Sequence, residues 1–242
     1  MLQRLDKLIS SQGIYSRKEA QQLIKNGLVK VDGVQVRDRG AHVDPDSSVV
    51  EVEGKPFKLE KFVYLMLNKP KGVVSATEDK NVKTVVDLAP EEYRGRNLFP
   101  AGRLDMTTTG FVLLTDDGDF AHRILSPKNH IEKTYEARLA QRVTAQQLET
   151  VAQGIVLKDG TECLPAKLKV LEDGENPIVE IKICEGKYHQ IKRMFAAAGN
   201  GVIELKRTKM GGLSLDCGLP EGCCRKLSEK EIKMIETVNK NS

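Results

Sequence analysis

The sequence predicts an α+β protein of two domains, a small amino-terminal one over residues 1–60 and a larger one over residues 61–242. Three observations carry this expectation. Helical spacing of apolar residues gives way, within the first 40 residues, to alternation around an Asp-Gly pair. The stretch GKPFKLEK at 54–61 then breaks the pattern with Gly, Pro and charge, and from Phe62 onward apolar runs of strand length recur between capped helix starts. A chain of 242 residues can be divided in this way and still leave each part a core.

The elements follow in order. Leu5, Leu8 and Ile9 recur at helical spacing, with Arg4 and Lys7 off the stripe, which predicts a short helix over 3–11. Ser16 followed by Glu19 forms a capping box and starts a second helix with Ala20, Leu23 and Ile24 on its apolar stripe; Gly27 suits its end. Arg17, Lys18 and Lys25 lie off that stripe and are free to meet phosphates. In GLVKVDGVQV the alternation turns at Asp32 and Gly33, a favoured two-residue hairpin. FVYLMLNKPKG reads as a buried strand entering a turn, and GFVLLTDDGD at 110–119 as another strand ending in a turn. Further capping boxes at Thr144 with Gln147 and Ser228 with Glu231 place helices near 145–153 and 229–238. Ile191, Met194, Phe195 and Ala198 mark one more helix, ended by Gly199 and Asn200, while Gly211 and Gly212 read as a bend before a strand.

Composition narrows the function classes. With 40% hydrophobic and 30% charged residues and no long apolar run, the chain has no membrane span, and its first residues lack the pattern of a secretory signal, so a cytoplasmic protein is expected. Five cysteines without a CxxC pair point to neither zinc nor disulfides, and four histidines show no ligand spacing, so no metal is expected. The net charge of +4 favours a polyanionic partner weakly, but residues 1–40 hold eight basic side chains against four acidic ones, so the excess is concentrated there. Asp116 and Asp117 are a pair of carboxylates, read as a turn after a strand in preference to a metal or acid/base site. No phosphate-binding glycine loop is present.

The stretch RLDKLI…SRKEAQQLIKNGLVKVDGVQV resembles the small RNA-binding domain shared by a small-subunit ribosomal protein, the protein S-four type, with tyrosyl-tRNA synthetases and several rRNA-modifying enzymes. AGRLDMTTTGFVLLTDDG at 101–118 resembles the catalytic loop of the pseudouridine synthases, in the branch that carries this amino-terminal domain. LNKPKGVVSA before it, and SPKNHIEKTYEARL and CEGKYHQIKRMFAAAGNGVIEL after it, extend the resemblance over nearly the whole chain. HQIKRMFAAAGN and KMGGLSLD are most similar to the members acting on small-subunit rRNA.

The resemblance implies a catalytic domain with a mixed, mainly antiparallel sheet holding a basic cleft. It further implies that Asp105 is the catalytic carboxylate, that Tyr135 stacks on the target base and that Lys192 is the basic partner of the aspartate. Arg103 helps hold the uridine out of the helix, Ile191 lines the pocket, and Arg17 and Lys18 contact RNA. Phe111 replaces a frequent leucine, and Lys192 stands where arginine is commoner; a lysine offers a point charge where an arginine would grip a carboxylate by two parallel bonds. The chemistry suits these residue types. Breaking C1′–N1, turning the base and joining C1′ to C5 consumes no group, so no cofactor is needed, and one ionised carboxylate can stabilise positive character at C1′. The expected partner is ribosomal RNA, of the small subunit or of an assembling small subunit, and nothing demands more than a monomer. A large-subunit rRNA uridine as target, or a non-catalytic rRNA-binding assembly factor, are the alternatives.

Overall fold

The computed structural model of the protein describes residues 2–45 and 47–237, so position 238 of the helix expected near 229–238 lies outside the described residues. The chain divides into two compact units. One holds the residues up to Val63 together with Ala89–Leu98; the other holds Tyr64–Leu88 and the chain from Phe99 onward. A division at residue 60 therefore differs from this one by an excursion, because Ala89–Leu98 returns to the first unit.

In the first unit, β1 (Gln3–Arg4) leads into α1 (Leu5–Ser11), followed by α2 (Arg17–Lys25), β2 (Val29–Val31), β3 (Val34–Val36), β4 (His42–Val43), β5 (Val50–Val52) and β6 (Lys55–Phe57). Both bonds of the capping box form: the Ser16 hydroxyl accepts from the Glu19 amide, and the Glu19 carboxylate accepts from the Ser16 amide. Asp32 and Gly33 both take positive φ, 51° and 79°, as the favoured hairpin turn requires. The segment around residue 54, expected as an interruption, is instead a second hairpin. Glu53 and Gly54 turn with φ of 54° and 77°, and Pro56 sits on edge strand β6, where its missing N–H costs no ladder bond. The antiparallel order is β3-β2-β5-β6. Leu5, Leu8, Ile9, Ala20, Ile24, Val29, Val50 and Val52 form the core beneath it.

The returning segment is held by backbone closeness and by one arginine. Gly13 and Gly95 approach so closely that neither position has room for a Cβ. The Arg96 guanidinium donates to Gln12 Oε1 at 2.9 Å and to the carbonyls of Glu60 at 3.0 Å and Lys61 at 3.2 Å. A polar stretch such as PEEYRGRN gives no hydrophobic pattern by which a sequence reading could assign it.

The second unit contains β7 (Tyr64–Lys69), β8 (Phe99–Ala101), β9 (Thr109–Thr115), α3 (Gly118–Leu125), β10 (Lys133–Leu139), α4 (Ala145–Ala152), β11 (Ile155–Val156) and β12 (Glu162–Cys163). It continues through β13 (Lys167–Glu172), β14 (Ile178–Ile183), α5 (Gln190–Ala197), β15 (Val202–Met210), β16 (Leu213–Ser214), β17 (Cys224–Lys226) and α6 (Glu229–Ile235). Nine strands form one sheet along the path β13-β14-β10-β15-β9-β7-β17, with β16 on β15 and β8 on β9. Its pairs are antiparallel except β9 with β15, so the sheet is mixed and mainly antiparallel. Every residue of β9 is buried, as a strand covered on both faces requires. The parallel pair places Gly110 against Arg207, where a Cβ would overlap the Arg207 carbonyl, and Gly110 adopts φ of 98°. Asp117 does more than turn the chain: it caps α3 by accepting from the Phe120 amide at 2.9 Å and also accepts from the Tyr64 hydroxyl at 2.6 Å. Among the described residues no helix is long and apolar enough to cross a membrane.

Asp6 gives the first unit a pH signature. Its carboxylate is fully buried; Arg4 donates to both oxygens at 3.0 Å, Arg17 to Oδ2 at 3.3 Å and Gln21 to Oδ2 at 2.8 Å. The Arg4 hydrogen bonds hold its pKa far below the usual carboxylate range, outweighing burial, which acts the other way. A depressed carboxylate pKa stabilises the folded state above the unfolded value of about 4 and loses that effect as pH falls. Asp6→Asn is therefore expected to flatten the acid limb of stability below about pH 4, read as the urea midpoint against pH; an acid limb identical to wild type would contradict this.

Candidate active site

The loop between β8 and β9 carries Arg103, Leu104 and Asp105, and its irregular backbone is satisfied by side chains from outside it. Gly102, at φ of 94°, lets the chain leave β8 sharply. Ser75 brackets Leu104: its hydroxyl donates to the Leu104 carbonyl at 2.9 Å and accepts from the Leu104 amide at 3.0 Å. The Gly72 amide donates to Met106 O at 2.9 Å, and the Thr108 amide closes a turn onto Asp105 O at 3.0 Å. From beneath, the fully buried Lys69 ammonium donates to the carbonyls of Pro70 at 3.0 Å, Met106 at 3.4 Å and Thr108 at 2.9 Å. Burial pushes the Lys69 pKa down to about 8; the Asp105 charge opposes that shift and the Lys192 charge adds to it.

Asp105 is about one-quarter exposed and faces the start of α5. Lys192 Nζ lies 3.4 Å from Asp105 Oδ2 and donates to Thr107 Oγ1 at 2.7 Å, so the lysine is held between the carboxylate and a hydroxyl of the same loop. His189 Nε2 lies 3.5 Å from Asp105 Oδ1, and its ring stacks on Tyr188 with centroids 3.9 Å apart. His189 reaches this place through a left-handed backbone, φ of 49°, immediately before the helix. The pocket in front of Asp105 is lined by Tyr135 from β10, Ile191 from α5, Leu205 from β15 and Arg103. Tyr135 and Ile191 are buried, whereas Arg103 is exposed at the rim. Asp105 is the only carboxylate lining this pocket among the described residues.

The structure thus gathers Asp105, Tyr135, Lys192, Arg103 and Ile191 into one place. Arg17 and Lys18 lie on α2 of the other unit, and Arg17 is less free than its spacing implied, because it donates to Asp6. Lys69, Ser75 and the contact of His189 with Asp105 went unrecognised in the sequence. A lysine closing a strand that carries the apolar run Leu65, Met66 and Leu67, and preceding a proline, is the available signal for Lys69. Chemically, the arrangement offers one carboxylate between two basic groups, an aromatic face, an apolar wall and a cation at the mouth. That set can hold a flat base while a charge acts at its sugar.

Comparison with known proteins agrees with this geometry. Residues 63–197 match the model of the RNA pseudouridylate synthase family. The chain belongs to that family. Residues 3–49 of this RNA pseudouridylate synthase match the S4 domain. It is 47% identical over 234 residues to an RNA pseudouridine synthase of Bacillus subtilis, covering 96% of this chain and 98% of the relative. It is 43% identical over 236 residues to the ribosomal small subunit pseudouridine synthase A of Escherichia coli, covering 96% and 99%. A crystal structure of a pseudouridylate synthase superposes with a TM-score of 0.68 at 40% identity, covering 96% of this chain and 99% of that one. The synthase is accordingly an isomerase that converts uridine in RNA to pseudouridine.

The depressed pKa of Lys69 has a measurable consequence. Its folded pKa of about 8 lies below the unfolded value of about 10.4, so the unfolded chain binds more protons between the two and stability rises with pH across that window. The full rise is about 3 kcal/mol at most. Lys69→Met is expected to remove this contribution, seen as a smaller rise of the urea midpoint from pH 8 to 10 than in wild type; a variant that keeps the wild-type slope would show that another group titrates there.

Proposed function

We propose that the chain isomerises a uridine of small-subunit ribosomal RNA, acting in the cytoplasm as a monomer, with Asp105 as the reacting carboxylate. The observation that carries the chemical part is a pocket lined by Tyr135 and, among the described residues, by one carboxylate, Asp105, on a pinned loop. The small-subunit target is supported by relatives at 40–44% identity over nearly full length that are ribosomal small subunit pseudouridine synthases A.

In this reading the target nucleotide leaves the stack, and the Tyr135 ring and the Arg103 cation compensate the lost stacking. The Asp105 carboxylate stabilises positive character at C1′ as the bond to N1 breaks, and Lys192 Nζ, 3.4 Å from Oδ2, holds the carboxylate in place. The uracil turns against the apolar wall at Ile191, C1′ joins C5, the C5 hydrogen leaves as a proton and N1 ends protonated, so atoms and electrons balance without a cofactor. Residues 1–60 dock RNA through α2, where Lys18 and the exposed part of Arg17 meet phosphates, and residues 61–242 carry the chemistry.

The first test is tritium release from small-subunit rRNA transcripts, and from partly assembled small subunits, carrying 5-tritiated uridine. Wild type is expected to release label, and Asp105→Asn to release none above background. Release from large-subunit RNA alone would move the target, and release by the variant would remove Asp105 from the chemistry. A second expectation concerns docking: Lys18→Glu should weaken RNA binding several-fold at low salt, with the difference shrinking as salt rises. An affinity equal to wild type at low salt would take α2 out of the interface.

A further inference from the structure

Beside the Asp105 pocket, and sharing Arg103 and Tyr135 with it, lies a larger cleft of about 730 Å³. Leu125 and Leu164 are among its apolar lining side chains, and Lys133 and Arg207 line it from the strands of the sheet. Lys133 and Tyr135 project from the same face of β10, and Arg207 stands opposite Tyr135 on the neighbouring strand β15. Lys133 is 6% exposed and Arg207 2% exposed, so both charges are held largely out of water.

Neither charge has an anionic partner among the described residues. Arg207 donates through Nε to Phe111 O at 2.7 Å, its guanidinium lies 6.0 Å from the Tyr135 ring centroid, and its Nη2 is buried without a hydrogen bond. Burial lowers the Lys133 pKa, and the neighbouring Arg207 charge lowers it further. Among the described residues the only carboxylate lining the cleft, Glu185, is already occupied: it accepts from the Leu164 amide at 2.8 Å, pairs with Lys187 at 2.9 Å and accepts from the Gln190 amide group. Two like charges removed from water side by side are unfavourable unless an anion completes them, and an unpaired buried donor has the same requirement. A cleft of this volume leaves the space for one.

We propose that Lys133 and Arg207 form a phosphate subsite that holds a backbone phosphodiester of the substrate strand next to the nucleotide whose base enters the Asp105 pocket. The inference rests on the reading that this pocket takes the target uridine. Its chemistry is that of a compact tetrahedral anion: the ammonium supplies a point charge, the guanidinium supplies directed donors, and the Tyr135 ring separates the anion from the base. Anchoring a neighbouring phosphate at the sheet floor would draw the flipped nucleotide in by its backbone, independently of which base follows it.

Two measurements test the subsite. In the first, filter binding of a small-subunit rRNA transcript is followed over a salt series for wild type, Lys133→Gln, Arg207→Gln and the double variant K133Q/R207Q. Each single change is expected to weaken binding about tenfold, and the double change to reduce the slope of log affinity against log salt by roughly one, the signature of one lost phosphate contact. The second uses the unmutated protein and therefore does not depend on the variants folding. Half-exposed Cys184 lines the cleft, and inorganic phosphate should slow its alkylation at least threefold relative to chloride at equal ionic strength, leaving the exposed Cys217 and Cys223 unchanged. A salt slope unaltered in folded double variant, or equal Cys184 rates in phosphate and chloride, overturns the subsite. Because Asp105→Asn reports on the chemistry through tritium release and Cys184 protection reports on the anion alone, failure of one reading is distinguishable from failure of the other.

Discussion

The buried ammonium of Lys69 is the interaction on which the site depends. The Asp105 loop has no strand or helix partner for its carbonyls, and irregular backbone placed under cover must find donors elsewhere. Lys69 contributes three at once, two of them to the loop itself at Met106 and Thr108, while Ser75 supplies both a donor and an acceptor at Leu104. The cost is a charge out of water, visible in the lowered pKa. The result is a carboxylate whose backbone is fixed from two sides while its side chain remains about one-quarter exposed to meet a substrate.

Lys192 works on the other side of the same carboxylate in a different way. Where an arginine would grip two oxygens in parallel, this lysine makes one contact to Asp105 Oδ2 and uses Thr107 Oγ1 as its second anchor. The hydroxyl therefore takes over part of the orientation that a planar guanidinium would have provided. Oδ1 is left to His189, which the left-handed turn before α5 swings toward the loop and the Tyr188 ring steadies by stacking.

Much of the fold is legible in local sequence because its signals act over a few residues. The boxes at Ser16, Thr144 and Ser228 form with both bonds, and the Asp32-Gly33 turn takes the predicted conformation. Residues that act across the chain were not legible in the same way. Asp117 reads as a turn residue but caps a helix and holds the Tyr64 hydroxyl; the Glu53-Gly54 turn reads as an interruption but closes a hairpin. The return of Ala89–Leu98 hangs on two glycines meeting across more than 80 residues, which no periodicity records. At the site, Asp105 and its partners are legible through family motifs, whereas Lys69 and Ser75 act through backbone carbonyls and amides, and a residue type alone does not disclose that work.

Charge distribution explains why so modest a net charge suffices for a polyanionic substrate. Among the described residues four cationic side chains, Arg103, Lys133, Lys187 and Arg207, line the cleft beside the pocket, and the one carboxylate there, Glu185, is already paired with Lys187. A low-dielectric wall strengthens each of these charges relative to one in open solvent, so a few placed in a cleft exert more pull on a phosphodiester than many scattered over helix faces. The same clustering bears on selectivity between anions. Lys192 faces Asp105 and is largely neutralised by it, whereas Lys133 and Arg207 have no such partner among the described residues. The strongest unmet demand for negative charge therefore lies beside Asp105 rather than on it.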